Sequence, residues 1–131
     1  MSQAQSKGAL IGFWITTGII CLTQFGSGIG DLVGAEGLVE GVTNLHYPAY
    51  ILYILGPLKI LGVLTLAAPR LTRLKEWAYA GFFFDFTGAA ASHTLNGDSI
   101  AQIAPAAVFI VILLVSYFLR PASRKLAGPI V

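Results

Sequence analysis

Four long apolar runs separated by short polar stretches make up most of the chain. The first, residues 8–30, is free of charge over about 23 positions; at about 1.5 Å per residue it crosses a bilayer with some tilt. It exceeds the length of a signal-peptide core and lacks a convincing small-residue cleavage site, so it is expected to be retained. The polar connection DLVGAEGLVEGVTNLH follows, in which Leu32, Val33, Leu38, Val39 and Val42 predict a short interfacial helix. The second run, 48–68, opens on Pro48, which suits a first helical turn. Pro57 lies mid-run after Gly56 and frees the carbonyl of Tyr53, so a kink or wetting is expected there. PRLTRLKE is a short basic loop before the third run, 77–95; Asn96-Gly97-Asp98 signals a turn, and the fourth run covers 101–119. The pattern predicts an all-α, integral-membrane four-helix bundle, one domain over 1–131.

Composition supports that class. Of 131 residues 56% are hydrophobic and 11% charged, against about 25% charged in an average soluble domain. A soluble globular domain and a disordered chain are both excluded. Eight basic and six acidic residues leave a net charge of +2, too little for a nucleic-acid protein. The single cysteine, Cys21, has apolar neighbours and reads as a small buried hydrophobe, and one thiol excludes dithiol chemistry within the chain.

The placement of charge predicts orientation. Lys7, Arg70, Arg73, Lys75, Arg120, Arg124 and Lys125 all fall on the side that holds both termini and the second loop, and the other two loops hold no basic residue. This bias places both termini in the cytoplasm. Asp31, Glu36, Glu40 and Asp98 are then expected to face outward, and Trp14, Trp77, Tyr79 and Tyr117 to belt the inner boundary, with Tyr47 and Tyr50 at the outer.

Two charges remain deep inside predicted spans. Lys59 lies ~14 Å and Asp85 ~12 Å from the inner ends of consecutive antiparallel helices. A Lys59–Asp85 ion pair is the expected arrangement, since either charge alone at mid-bilayer costs at least ~2.5–3.5 kcal/mol. Gly56, Gly62, Gly81 and Gly88 flank the pair and are expected to let the two backbones approach, while Gly26, Gly30 and Gly34 form a further small-residue face. The pair reads equally as a strut that sets helix register and as a polar site for a ligand or proton. A second cluster, His46, Ser92 and His93, gathers near the outer boundary, with His93 about 80° around the helix from Asp85, so both face one vertical cavity. The candidate ligand-binding residues are Lys59, Asp85, His93, Tyr53, Ser92 and His46. Their spacing is too loose to call a metal site, and a Ser92/His93/Asp98 triad is disfavoured because adjacent helical residues point apart.

The strings SGIGDL, LHYPAYILYILGPLKILGVL, PRLTRLKEWAYAG and FDFTGAAASH resemble the DoxX-like family of small bacterial four-span membrane proteins. The resemblance singles out Tyr47, Pro48, Gly56, Lys59, Trp77, Tyr79, Gly81, Gly88, Ser92 and His93; His46 stands where the family pattern has Gly. It implies the bacterial inner membrane. The family name derives from a subunit of a thiosulfate–quinone oxidoreductase, and relatives are linked to membrane redox complexes or receptor chaperoning. The resemblance therefore implies an accessory subunit or binding module of a quinone-linked system, contacting lipid, a hydrophobic small molecule such as a quinone, and a redox partner protein or a second copy. Two alternatives stay open: a small membrane isomerase or oxidoreductase using Asp85 or His93, and a proton-coupled transporter, which the strong orientation bias disfavours.

Overall fold

A computed structural model of the chain describes residues 6–126. Five α-helices and one 3₁₀ turn are present there, with no strand among the described residues: α1 Lys7–Val33, α2 Glu36–Asn44, α3 Ile51–Ala67, α4 Thr72–Leu95, α5 Ile100–Phe118, and the turn Ala122–Arg124. The ends of the domain expected over 1–131 lie outside the described residues.

Each boundary has a local cause. At the start of α1 the Ser6 hydroxyl accepts the Ala9 amide at 3.1 Å. At its end Gly34 adopts the left-handed conformation (φ 68°), its N–H reaching the Asp31 carbonyl, and the Ala35 N–H reaches the Gly30 carbonyl at 2.9 Å. Helix α1 therefore continues past the charge-free run and takes in Asp31. Pro48 stands before α3 rather than in its first turn, because 48–50 form a turn in which Ile51 N–H donates to the Pro48 carbonyl at 3.1 Å. Helix α3 runs through Pro57 without interruption. Most of PRLTRLKE is already α4: Arg70 and Leu71 turn the chain with φ of 64° and 50°, and the helix begins at Thr72. Ser99 N–H donates to Gln102 Oε1 at 3.1 Å at the start of α5.

Helix α1 packs on α3 and α5, and α4 packs on the same two, so the four long helices close a ring in the order α1–α3–α4–α5. Neighbours run antiparallel: Gly28 faces Gly56, Gly62 faces Phe82, and Ser116 faces both Thr17 and Tyr79. The apolar core, Ile20, Val63, Leu66, Tyr79, Phe82, Phe86 and Leu113, fills the half of the ring nearer the α3–α4 turn. The close backbone approach is between α1 and α3, at Gly28 and Gly56, not at the glycines beside Asp85. Gly62 instead admits the Phe82 ring. Gly26, Gly81 and Gly88 have open space where a side chain would start, so they make no close packing contact within the bundle.

Several basic residues expected in a loop and a tail are bonded to the bundle. Lys75, 1% exposed, donates to the carbonyls of Thr65 (2.7 Å) and Ala68, and Arg124 donates to Leu66 O at 2.8 Å. Together they satisfy the carbonyls left open at the C-terminus of α3. Arg120 pairs with Glu76, which also accepts the Tyr117 hydroxyl at 2.7 Å, and lies over the Tyr117 ring.

The outside of the ring is apolar, with Leu22, Phe84 and Phe118 each at least 70% exposed. Helices α1 and α5 are long and apolar enough to cross a membrane, and only 22% and 17% of their apolar windows are buried, unlike the core helices of a water-soluble protein. Helix α3 is apolar but 17 residues long.

His46 adopts φ 70°. A side chain there costs about 1–2 kcal/mol that glycine avoids. His46→Gly is expected to stabilise the fold by about 0.5–1 kcal/mol, glycine's greater chain entropy offsetting part of the gain; a rise in the thermal midpoint in detergent would show it.

Candidate functional site

One face of α1 carries a polar stripe inside the bundle. Thr17, Gln24 and Asp31 recur every seven residues, two helical turns apart, and all three are buried. Thr17 is satisfied by Ser116 at 2.6 Å, and Ser116 in turn by the Tyr79 hydroxyl at 2.7 Å. The Gln24 side chain makes no hydrogen bond among the described residues. Asp31 is completely buried.

The partner of Lys59 is Asp31, not Asp85. Lys59 Nζ lies 2.9 Å from Asp31 Oδ2 and donates to Ser27 Oγ at 3.0 Å. Asp31, expected on the outer face, is thus inside the bundle. The physical reason is the Gly28–Gly56 approach, which brings α1 against α3 one turn from both charges. Oδ2 is thus met by the ammonium, while Oδ1 has no partner. Such a group is costly to bury unless something else meets it.

That something has room. Asp31, Gln24, Ser27 and Lys59 line a cavity of about 540 Å³ between the helices, and α2 covers part of it through Gly37, Leu38, Gly41 and Val42. Asp85 and His93 reach the same cavity from α4, and Gln102 from α5. The Asp85 carboxylate makes no ion pair and no hydrogen bond among the described residues. His93 Nδ1 is held at 2.7 Å by Asp98 Oδ2, and Asn96 Nδ2 steadies the other Asp98 oxygen at 2.9 Å. This fixes the ring and leaves Nε2 as its free nitrogen. Ser92 pairs with the Tyr47 hydroxyl at 2.7 Å and not with His93, so no triad forms.

Of the six residues singled out in the sequence, Lys59, Asp85, His93 and Ser92 come together on the cavity. Tyr53 is 61% exposed on α3 and His46 is exposed in the turn before it; neither lines the cavity. Gln24 and Ser27 belong to the site and were not singled out in the sequence, and Asp31 belongs to it although it was expected among the outward-facing carboxylates; the heptad recurrence of polar residues in an apolar helix marks Gln24 and Asp31. Among the described residues no three His, Cys, Asp or Glu side chains converge as a metal would need.

The model of one family, described as the DoxX-like family, matches residues 15–116. The chain belongs to the DoxX-like family. The matched stretch contains every residue of the cavity, from Gln24 to Phe109, and stops short of Arg120 and Arg124. The DoxX-like assignment and the apolar helices together describe a helical membrane protein in contact with lipid. No characterised protein and no solved structure matches the chain.

Proposed function

We propose that this DoxX-like chain crosses the bacterial inner membrane four times, with both termini in the cytoplasm, and binds a small lipid-soluble molecule for a membrane redox system. A quinone is the molecule class the reading favours. The reading rests chiefly on one observation: a cavity of about 540 Å³, within the range of small-molecule sites, holds a buried carboxylate with an unmet oxygen inside an apolar bundle. In lipid, α4 carries Asp85 on its cavity side, where an intramembrane charge is tolerated. The 17 residues of α3 span about 26 Å, and the adjoining turn residues 48–50 extend it to the width of a thinned bilayer. Native mass spectrometry of the chain extracted in mild detergent tests this. A co-purified lipid-soluble ligand lost in Gly88→Leu supports binding, and an empty chain that also ignores added quinone opposes it.

A second reading is favoured by His93, whose ring is oriented by Asp98 with Nε2 free, in the same cavity as the unpaired Asp85. Those are the parts of a general acid–base pair, as a membrane isomerase or oxidoreductase would use. Turnover that vanishes in Asp85→Asn or His93→Gln while the ligand still binds would favour the enzyme over the binding module.

A further inference from the structure

The cavity's own electrostatics narrow what it holds. Two carboxylates, Asp31 and Asp85, face one ammonium, Lys59. Lys59 is already engaged by Asp31 and Ser27. The unmet charged groups are therefore acceptors: Asp31 Oδ1, wholly buried and without a partner, and the Asp85 carboxylate, while the Gln24 amide on the same wall can both give and take a hydrogen bond. A head group with its own negative charge would add a third anion to one cation in a low-dielectric space. A head that offers only acceptors would leave Asp31 unmet.

A groove adjoins the cavity on one side. A second hollow of about 430 Å³ lies between α3 and α4, lined by Leu58, Leu61, Gly62, Leu74, Trp77 and Gly81. Leu55, Lys59 and Asp85 line both spaces, so the charged residues stand where the two meet. On the groove side the wall is apolar and open to the outside of the ring; Leu58, Leu61 and Trp77 are each more than half exposed. A polar head at Asp31 and Asp85 with an apolar chain running out between α3 and α4 satisfies both halves.

We infer that the site takes an uncharged or cationic amphiphile whose head donates a hydrogen bond to Asp31 and Asp85, with its single apolar tail in the α3–α4 groove. This deepens the binding-module reading and depends on it, with the hydroxyl-bearing reduced form, a quinol, as the member of the quinone class whose head can donate, but it is independent of a redox role. Phenols, alcohols and amines with a long alkyl chain share the required chemistry; fatty acids and aprotic ethers lack it.

The test uses the full chain in phosphatidylcholine nanodiscs and four probes: 4-nonylphenol, its methyl ether, decanoic acid and nonylamine. Loss of one hydrogen bond to a charged acceptor corresponds to a tenfold or larger effect. Nonylphenol should bind at least tenfold more tightly than the ether, nonylamine should compete with it, and decanoic acid should not. Equal binding of phenol and ether, or preferred binding of the acid, overturns the assignment. Two variants separate head from tail, at positions where a Cβ meets no atom within 4 Å, Gly81 and Gly88; retained helicity and thermal midpoint establish that each variant is folded. Gly81→Leu fills the groove and should weaken nonylphenol at least tenfold while leaving short 4-ethylphenol unchanged. Gly88→Leu fills the cavity and should weaken both. Unaltered nonylphenol affinity in Gly81→Leu refutes the tail site. So does a change of oligomeric state in that variant without a change of affinity, since the groove would then be a contact between copies. Donor selectivity without any affinity for quinols would keep this inference and remove the redox reading.

Discussion

Replacing Lys59 by methionine is expected to destabilise the folded chain by about 3–5 kcal/mol, because it strands the Asp31 carboxylate, fully buried, with no countercharge. Reversible unfolding in mixed micelles of rising sodium dodecyl sulfate gives the measurement. Removing the other partner is milder. In Asp31→Asn the ammonium keeps the Ser27 hydroxyl at 3.0 Å, retains partial exposure, and still has Asp85 on the same cavity wall. The double variant Asp31→Asn/Lys59→Met buries no charge at that point and should recover most of the loss seen in Lys59→Met. The cycle then yields a coupling of about 2 kcal/mol or more, in the range for residues of one ion-pair network. The same cycle built on Asp85→Asn should yield less than about 1 kcal/mol. A larger coupling of Lys59 to Asp85 than to Asp31 would restore the pairing expected from helix depth and refute the one described above.

Lys59 pairs with Asp31 and not with Asp85, the partner expected from helix depth. Lys59 inside an apolar run demands a carboxylate at its own level, and the sequence offers Asp85 on the next helix at nearly the same depth. What decides the matter is lateral order. Helix α3 lies between α1 and α4, and hydropathy says nothing about which neighbour approaches closer. The glycines do: Gly28 and Gly56 bring α1 in, whereas Gly81 and Gly88 leave α4 standing off as the wall of a cavity. Asp31 was hidden by its neighbours, since Glu36 and Glu40 make residues 31–46 look like one polar loop. Gly34 is the residue that betrays the true end of α1, because a left-handed cap there puts Asp31 in the last turn, on the face of Thr17 and Gln24. Helix number, order and the outer turns were legible because each rests on local signals of apolar run, glycine and proline. The reach of Lys75 and Arg124 to the end of α3 was not, because nothing local in PRLTRLKE or RPASRK distinguishes a basic residue that faces solvent from one that caps a helix.

Gly56→Ala should destabilise the fold by about 1–3 kcal/mol, the range for overpacking, although alanine normally gains up to about 1 kcal/mol over glycine in a helix. A Cβ on Gly56 would stand 2.9 Å from the Gly28 carbonyl oxygen and 3.1 Å from Asp31 Cβ. The first neighbour is backbone and cannot turn aside, so α1 and α3 must separate. In a lipid surround, burial against the next helix gains little over burial in acyl chains, so close packing and interhelical hydrogen bonds hold the ring together. Separation therefore removes the principal attraction along the α1–α3 seam and at the same time draws Asp31 away from Lys59. The loss should appear both in the thermal midpoint in detergent and as a reduced Lys59–Asp31 coupling in the cycle above. Gly88→Ala is the matched control. It lies on α4 with open space beside it, so the same substitution there should be neutral or stabilising by up to about 1 kcal/mol. Equal effects at the two glycines would mean that the α1–α3 contact is not what sets the site. A loss confined to Gly56→Ala ties the geometry of the charged pair to one pair of residues without side chains, Gly28 and Gly56.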